Sequence, residues 1–246
     1  MPEPAGVRRM TEATLVTGGS NGIGRAIVQR LADDGHTVIN VDRVEPPAGA
    51  PGHFRRIDLV QKDAARAALA RLADEFSITR LVNNAGVVRA RPVEQVTPEE
   101  FEAVVALNLG AAVLCVQTAL PAMRAARFGR IVNISSRAVQ GRPNRTVYSM
   151  TKGGLLSMTR TWALEFAADG ITANAIGPGP VDTETFRRNN APAAIAGVLE
   201  AIPMKRLAVA DDVAQAVAFF LDARSGYITG QMLHVCGGQT LGVQPA

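Results

Sequence analysis

ATLVTGGSNGIGRAIVQRLADDGHTVINVDR, residues 13 to 43, switches from strand to helix periodicity and back within one short segment. Ala13 to Thr17 is an apolar run with β-branched residues, as a buried strand requires. Gly18 to Gly22 is a glycine-rich turn, after which Ile23, Ala26, Ile27, Leu31 and Ala32 recur at helical spacing. Gly35 ends that helix, and Thr37 to Val41 supplies a second buried strand. The result is a βαβ unit. Absent side chains in a strand-to-helix turn let backbone N–H groups and the positive helix end approach a pyrophosphate, which gives Gly18, Gly22 and Gly24 a purpose. Their spacing, TGxxxGxG, differs from the common GxGxxG, and a glycine turn can also be purely structural.

Asp42, at the end of the second strand, strengthens the nucleotide reading. It lies about 20 residues beyond the turn, where an acid can accept hydrogen bonds from adenosine ribose hydroxyls; otherwise it is a strand-end cap. A carboxylate there repels a 2′-phosphate, and Asn21 precedes Gly22 where a basic residue could have received one, so NAD is expected over NADP. Arg43 is the counterweight, because a guanidinium can pair with a phosphate or stack on adenine.

Working outward, HFRRIDL brings a third short strand ending near Asp58, followed by a helix from about 61 to 75 and a fourth strand, RLVNNAGV at 80 to 87. The paired asparagines Asn83 and Asn84 must find partners, with the neighbouring backbone expected to provide them. A proline-bounded, alanine- and valine-rich helix from roughly 98 to 128 should be buried by its own domain or by a second subunit. Asn108 in its middle gains nothing intrinsically and must be satisfied or useful. A sixth strand at ITANAIGP, a helix near 211 to 221 and a last strand in ITGQMLHVCGG complete the alternation. Such alternation specifies an α/β protein with a parallel sheet covered on both faces.

The whole chain has 246 residues, 47% hydrophobic and 20% charged, which favours one large α/β domain at 13–246 after a flexible leader at 1–12. No secretory signal is apparent, and no unbroken apolar run reaches the ~18 residues of a membrane span. Two cysteines without metal-ligand spacing suggest free thiols, a reducing cytoplasmic setting and no metal site. The net charge of +4 is scattered, and aromatic residues are only 4%, so nucleic acid is not an expected partner. The positive charge comes almost wholly from arginine; the only lysines are Lys62, Lys152 and Lys205.

Residues 130 to 162, RIVNISSRAVQGRPNRTVYSMTKGGLLSMTRTW, run from a buried strand through an arginine-bearing loop into a helix. Tyr148 and Lys152 are four apart on that helix and share a face. Reducing a ketone requires a positioned acid for the developing alkoxide. Tyrosine titrates near ~10, and an ammonium one turn away is expected to lower it. In an anonymous helix such a pair would more often be ordinary surface.

TGGSNGIG at 17 to 24, NNAG at 83 to 86, Asn108, NISS at 133 to 136, YSMTK at 148 to 152 and PGPVDT at 178 to 183 together resemble the ordered motifs of the short-chain dehydrogenase/reductase family. The resemblance covers about residues 13 to 240. It implies a single Rossmann-like, doubly wound domain of seven parallel strands, NAD(P)-dependent alcohol oxidation or ketone reduction, and a homodimer or homotetramer. It also implies a catalytic set of Asn108, Ser136, Tyr148 and Lys152. Gly18, Asn21, Gly22, Ile23 and Gly24 would line the pyrophosphate, Asp42 and Arg43 the ribose, Asp58 the adenine, and Asn84, Ala85 and Gly86 the nicotinamide side. Pro178, Gly179, Val181 and Thr183 would border the cofactor with Tyr148 and Lys152. Lys152 would reach the nicotinamide ribose, and Asn108 would anchor a water chain.

Ser135 and Ser136 compete for the substrate-holding role, since neighbouring strand residues point oppositely. The family pattern favours Ser136, although its interval to Tyr148 is one residue short and Ser135 keeps the common spacing. Cys236 stands where many relatives have aspartate. Residues 183 to 206 are expected to form an irregular substrate lid. The arginines Arg137, Arg142 and Arg145, with Arg187, Arg188 and Arg206, suggest an anionic substrate or an acidic carrier, against a reading as solvated surface. The chain is similar to 3-oxoacyl carrier-protein reductases. Sugar, cyclic-alcohol or aromatic-alcohol dehydrogenation and a non-catalytic dinucleotide sensor are the alternatives.

Overall fold

A computed structural model describes residues 10–188 and 190–241. Its strands are β1 (Thr11–Thr17), β2 (Val38–Asp42), β3 (His53–Arg56), β4 (Phe76–Asn83), β5 (Gly129–Ile134), β6 (Ile171–Pro178) and β7 (Met232–Val235). They form one parallel sheet in the order β3-β2-β1-β4-β5-β6-β7. The intervening helices are α1 (Gly22–Asp33), α2 (Lys62–Glu75), α3 (Pro98–Val105), α4 (Ala111–Ala126), α5 (Thr146–Phe166), α6 (Glu184–Arg188), α7 (Pro192–Glu200) and α8 (Ala210–Leu221). This is the expected Rossmann-like α/β architecture.

Successive strand side chains feed two separate cores, which is why the central strands are buried on both faces at most positions. Leu15, Leu81 and Ile131 pack with Leu69, Cys115, Met123 and Leu155 on one face. Their neighbours Val16, Val82 and Val132 pack with Ile27, Leu31, Val217 and Phe220 on the other. The chain winds outward from β1 to β3, then returns to place β4 on the other side of β1. That reversal opens a crevice at the carboxyl ends of β1 and β4.

Several boundaries differ from those expected. The proposed leader includes Thr11 and Glu12, but both belong to β1, paired with Phe76 and Ser77 of β4. The Glu12 carboxylate accepts from Thr79 Oγ1 at 2.6 Å and also pairs with Arg80, and these contacts fix the strand's start. The rest of the leader, through residue 9, and residues 242–246 lie outside the described residues. The long helix is interrupted by a π turn at Ala106–Gly110. The expected lid is not irregular throughout: it contains α6 and α7, with Asn189 outside the described residues.

Residues Pro98–Ala126 also include an 18-residue window of mean hydropathy 2.0, enough by length and composition to cross a membrane. Searching only for unbroken apolar runs misses it. Here Cys115, Ala119 and Met123 on this helix are fully buried in the core. Cys115 and Cys236 are both free and buried.

Candidate active site

The crevice is a cleft of about 540 Å³ at the carboxyl ends of the strands. One end is built by the β1–α1 turn. Gly18 and Gly22 have φ of +67° and +51°, and a Cβ at Gly24 would fall 1.9 Å from the Gly18 carbonyl oxygen. Only glycine permits that closeness. The turn is pinned by Asn84, whose Nδ2 donates to the carbonyls of Thr17 at 3.0 Å and Gly18 at 2.9 Å. Thr17 Oγ1 reciprocates by accepting from the backbone N–H of Asn84 and of Ala85, both at 3.0 Å. Sequence reasoning misses this role of Thr17; its position as the last strand residue before the glycines is the available signal.

Asn84 therefore uses the backbone, as expected, whereas Asn83 does not. Its Nδ2 donates to Asn133 Oδ1 at 2.8 Å, and Asn133 Nδ2 donates to Thr159 Oγ1 at 2.8 Å. This buried side-chain relay ties β4 and β5 to α5.

Asn21, Ile23, Asp42, Arg43 and Asp58 line the same end of the cleft. The Asp42 carboxylate accepts from the N–H of Ser20 at 3.1 Å and of Val44 at 3.1 Å, so it braces the glycine turn as well as facing the cleft. Asp58 accepts from the N–H of Val60 at 3.1 Å. Ala85, Gly86, Pro178, Gly179, Val181 and Thr183 continue the lining toward Ser136, Tyr148 and Lys152. A Cβ at Gly86 would lie 3.2 Å from Asn108 Oδ1 and 3.4 Å from Lys152 Nζ. The bare backbone there leaves room for a flat ligand beside the lysine. A glycine cradle at one end and a strand-end acid facing the same cleft fit a dinucleotide.

Ser135 and Ser136 have separate surroundings. Ser135 is buried and its hydroxyl donates to the Lys152 carbonyl at 2.9 Å. Ser136 Oγ accepts from the Ala138 N–H at 3.1 Å, and the same hydroxyl pulls the pKa of the Tyr148 phenol down against the effect of burial. The loop between Ser136 and Tyr148 has a 3-10 turn at Arg137–Gln140 and a left-handed Asn144 at φ 59°.

Asn108 does not line the cleft among the described residues. It sits behind it in the π turn, a device that often re-aims a side chain at a functional site. Its Oδ1 accepts from the Val87 N–H at 2.8 Å, and its Nδ2 donates to the Val87 carbonyl at 3.1 Å and to Thr151 Oγ1 at 3.0 Å. Both amide donors are thus engaged by protein. The observed side-chain contacts make Asn108 a brace between the β4 loop and α5.

The electrostatics also depart from expectation. Lys152 is 4% exposed, its Nζ donates to the Ile134 carbonyl at 2.6 Å, and burial lowers its pKa to about 8. Burial raises the pKa of Tyr148, opposed by the Ser136 hydroxyl and then by Arg145 and Arg142. Lys152 Nζ stands 5.8 Å from the centre of the Tyr148 ring. The i, i+4 spacing brings the two side chains to one cleft, but the lysine's hydrogen bond turns it toward β5.

Thr185, Phe186 and Asn190 from the segment expected to form a lid, together with Arg137, Arg142 and Arg145, line the remaining mouth. Arg187 and Arg206 do not supply free charge there: Arg187 pairs with Asp182 at 2.5 Å and Arg206 with Asp212 at 2.7 Å.

Residues 18–240 match the family model described as Enoyl-(Acyl carrier protein) reductase. The chain is 37% identical over 237 residues to the 3-oxoacyl-[acyl-carrier-protein] reductase MabA of Mycobacterium avium, covering 95% of this chain and 91% of the relative. Among solved structures it resembles a Beutenbergia cavernae protein provisionally assigned as an NAD(P)-dependent gluconate 5-dehydrogenase and solved with NADP at low occupancy. That match has TM-score 0.88 and 31% identity, covering 95% and 98% of the two chains. The ligand-free aldohexose dehydrogenase of Thermoplasma acidophilum matches with TM-score 0.87 and 30% identity over 96% and 97%. The glycine cradle, the Ser136–Tyr148–Lys152 cluster and these matches place the chain in the short-chain dehydrogenase/reductase family, as an NAD(P)-dependent oxidoreductase acting on CH–OH or C=O groups.

Proposed function

We propose that the protein interconverts a secondary alcohol and a ketone, with Tyr148 as acid and base. The observation that carries this reading is that Ser136, Tyr148 and Lys152 line the same continuous cleft as Gly18, Gly24 and Asp42. The nicotinamide supplies or accepts the hydride when bound. Tyr148 donates a proton to the substrate oxygen in reduction and removes it in oxidation. Ser136 holds that oxygen, and its hydroxyl favours the phenolate. Lys152, already desolvated, needs little reorganisation to hydrogen-bond a ribose beside Gly86. Asn108 is a positioning residue, fixing Val87 and Thr151 so that the loop after β4 and the Tyr148 helix keep their spacing.

Of the two nicotinamide cofactors, NAD is the proposed preference. Asp42 presents a carboxylate to the cleft where a 2′-phosphate would lie, and repulsion there outweighs the single exposed Arg43. The substrate is a ketone of the 3-oxoacyl type, following the named reductase relatives; a sugar or sugar-acid substrate is the second reading, favoured by the solved neighbours. Assays of both substrate classes with NAD(H) and NADP(H) separate these readings. Turnover by no ketone or alcohol with either cofactor would return the reading to a dinucleotide sensor.

Self-association into a dimer or tetramer is also proposed. Leu164 of α5 is 84% exposed, and Met150 of α5 and Phe101 of α3 are also exposed, an unusual apolar display for helices that otherwise pack inward. Sedimentation of the purified chain tests this: a monomer at all concentrations overturns it.

A further inference from the structure

Ten of the chain's arginines make ion pairs with aspartate or glutamate among the described residues. The three that line the mouth of the cleft, Arg137, Arg142 and Arg145, make none among those residues. They are also not simply solvated. All three are part-buried, and Arg145 Nη1 is shielded from solvent without a hydrogen-bond partner. Burial and the neighbouring Arg142 charge both depress the pKa values of Arg137 and Arg145. Placing like charges together in partial burial is costly unless an anion joins them.

Their position is held from outside. The backbone N–H of Arg91 donates to the Asn144 carbonyl at 3.0 Å, and Arg91 is itself paired with Glu100 at 3.1 Å. Asn144 is kept in the left-handed region at φ 59°. Such strain persists where the surroundings fix it, commonly beside functional groups. Arg145 and Arg142 both act electrostatically on the Tyr148 phenol, so the cationic pair and the proton-transfer group share one part of the cleft. Phe186 of α6 lines the same cleft and offers it an apolar surface. The chemistry that suits this mouth is a short organic acid: a carboxylate for the guanidinium groups, a carbon stem for the apolar surface, and a carbonyl for Tyr148.

We propose that Arg142 and Arg145 form a carboxylate subsite, and that the substrate is a free keto acid or its hydroxy acid. This rests on the oxidoreductase reading above and replaces its 3-oxoacyl thioester with a free acid as the substrate. An acyl thioester has no carboxylate at the corresponding end, so the free acid should be preferred over it.

The test compares a series of short oxo acids with their methyl esters and N-acetylcysteamine thioesters, using the wild-type chain, the double variant R142Q/R145Q and the charge-keeping variant R145K. Charged hydrogen bonds of this kind correspond to roughly tenfold to hundredfold in kcat/KM. At least one acid should exceed its ester and thioester by about that factor in the wild type. The double variant should lose most of that ratio, chiefly through KM, while R145K retains part of it. An acid-to-ester ratio near unity in the wild type, or a thioester preferred over its acid, overturns the subsite. A ratio unchanged in the double variant overturns it as well. Should the double variant fold poorly, the wild-type ratio and R145K still decide. Turnover of esters or thioesters alone leaves the oxidoreductase reading intact while removing the subsite; turnover of no compound removes both.

Discussion

The ammonium of Lys152 donates a 2.6 Å hydrogen bond to the carbonyl of Ile134 and stands 5.8 Å from the centre of the Tyr148 ring. Two side chains that share a helix face are therefore engaged with different parts of the site. The lysine is coupled to the end of β5, while the phenol is coupled to Ser136 and the loop arginines.

Burying that ammonium has a thermodynamic consequence. The native pKa of about 8 lies below the ordinary 10.5, so between those values the unfolded chain binds the extra proton and the native chain does not. Stability from this group therefore rises as pH increases through that window, and its burial costs about 3 kcal/mol below it. Lys152→Met should remove this pH dependence and at pH 7 be as stable as wild type or more so, while losing activity. Urea unfolding of both proteins between pH 7 and 10 checks this; a variant destabilised equally across the range would contradict it.

Tyr148 has its pKa raised by burial, with the Ser136 hydroxyl as the largest opposing influence. Alcohol oxidation needs the phenolate and should increase with pH, whereas ketone reduction needs the protonated phenol and should fall on the alkaline side. Ser136→Ala should shift both limbs to higher pH and lower kcat by roughly tenfold to hundredfold. Unshifted pH–rate profiles would remove Ser136 from contact with the phenol in the working enzyme.

A methyl group at position 24 would meet the Gly18 carbonyl at 1.9 Å, so the turn cannot accept it without opening. Gly24→Ala is expected to weaken NADH binding at least about tenfold by displacing the backbone donors of the turn. Fluorescence titration of NADH, with circular dichroism to confirm folding, reads this directly. Wild-type affinity would show that the cradle does not hold the cofactor.

Asp42 is the proposed discriminator between NAD and NADP. Asp42→Ala should raise the NADP-to-NAD ratio of kcat/KM by about tenfold or more, with Arg43 then free to meet the added phosphate. The lost hydrogen bonds to Ser20 and Val44 should cost some affinity for both cofactors. A ratio that does not move would assign Asp42 to bracing the turn alone.

The sheet is legible in the sequence because short apolar, β-branched runs buried on both faces alternate cleanly with period-3.6 helices. Leu15 and Val16 feeding opposite cores is the structural form of that unbroken apolar run. The residues lining the cleft are legible through glycines and ordered motifs, whose residue types are dictated by backbone clearance and proton chemistry. What stays hidden depends on where a side chain's hydrogen bonds go. Helical spacing puts Lys152 beside Tyr148 but cannot disclose the Ile134 carbonyl, which lies 18 positions away in sequence. In the same way, Asn108 looks like a cleft residue until the π turn directs it to Val87 and Thr151. The short helices α6 and α7 are obscured because α6 is only five mostly charged residues, α7 is small and aliphatic nearly all round, and neither buries a residue, so no periodic apolar stripe marks them.

The central claim, that Tyr148 exchanges the proton in this cleft, is tested most directly by Tyr148→Phe, measured for ketone-dependent NADH oxidation and for NADH binding in the same preparation. The predicted result is a loss of turnover of about a thousandfold or more with cofactor affinity changed less than about threefold. Turnover close to that of wild type, with NADH bound normally, would contradict it.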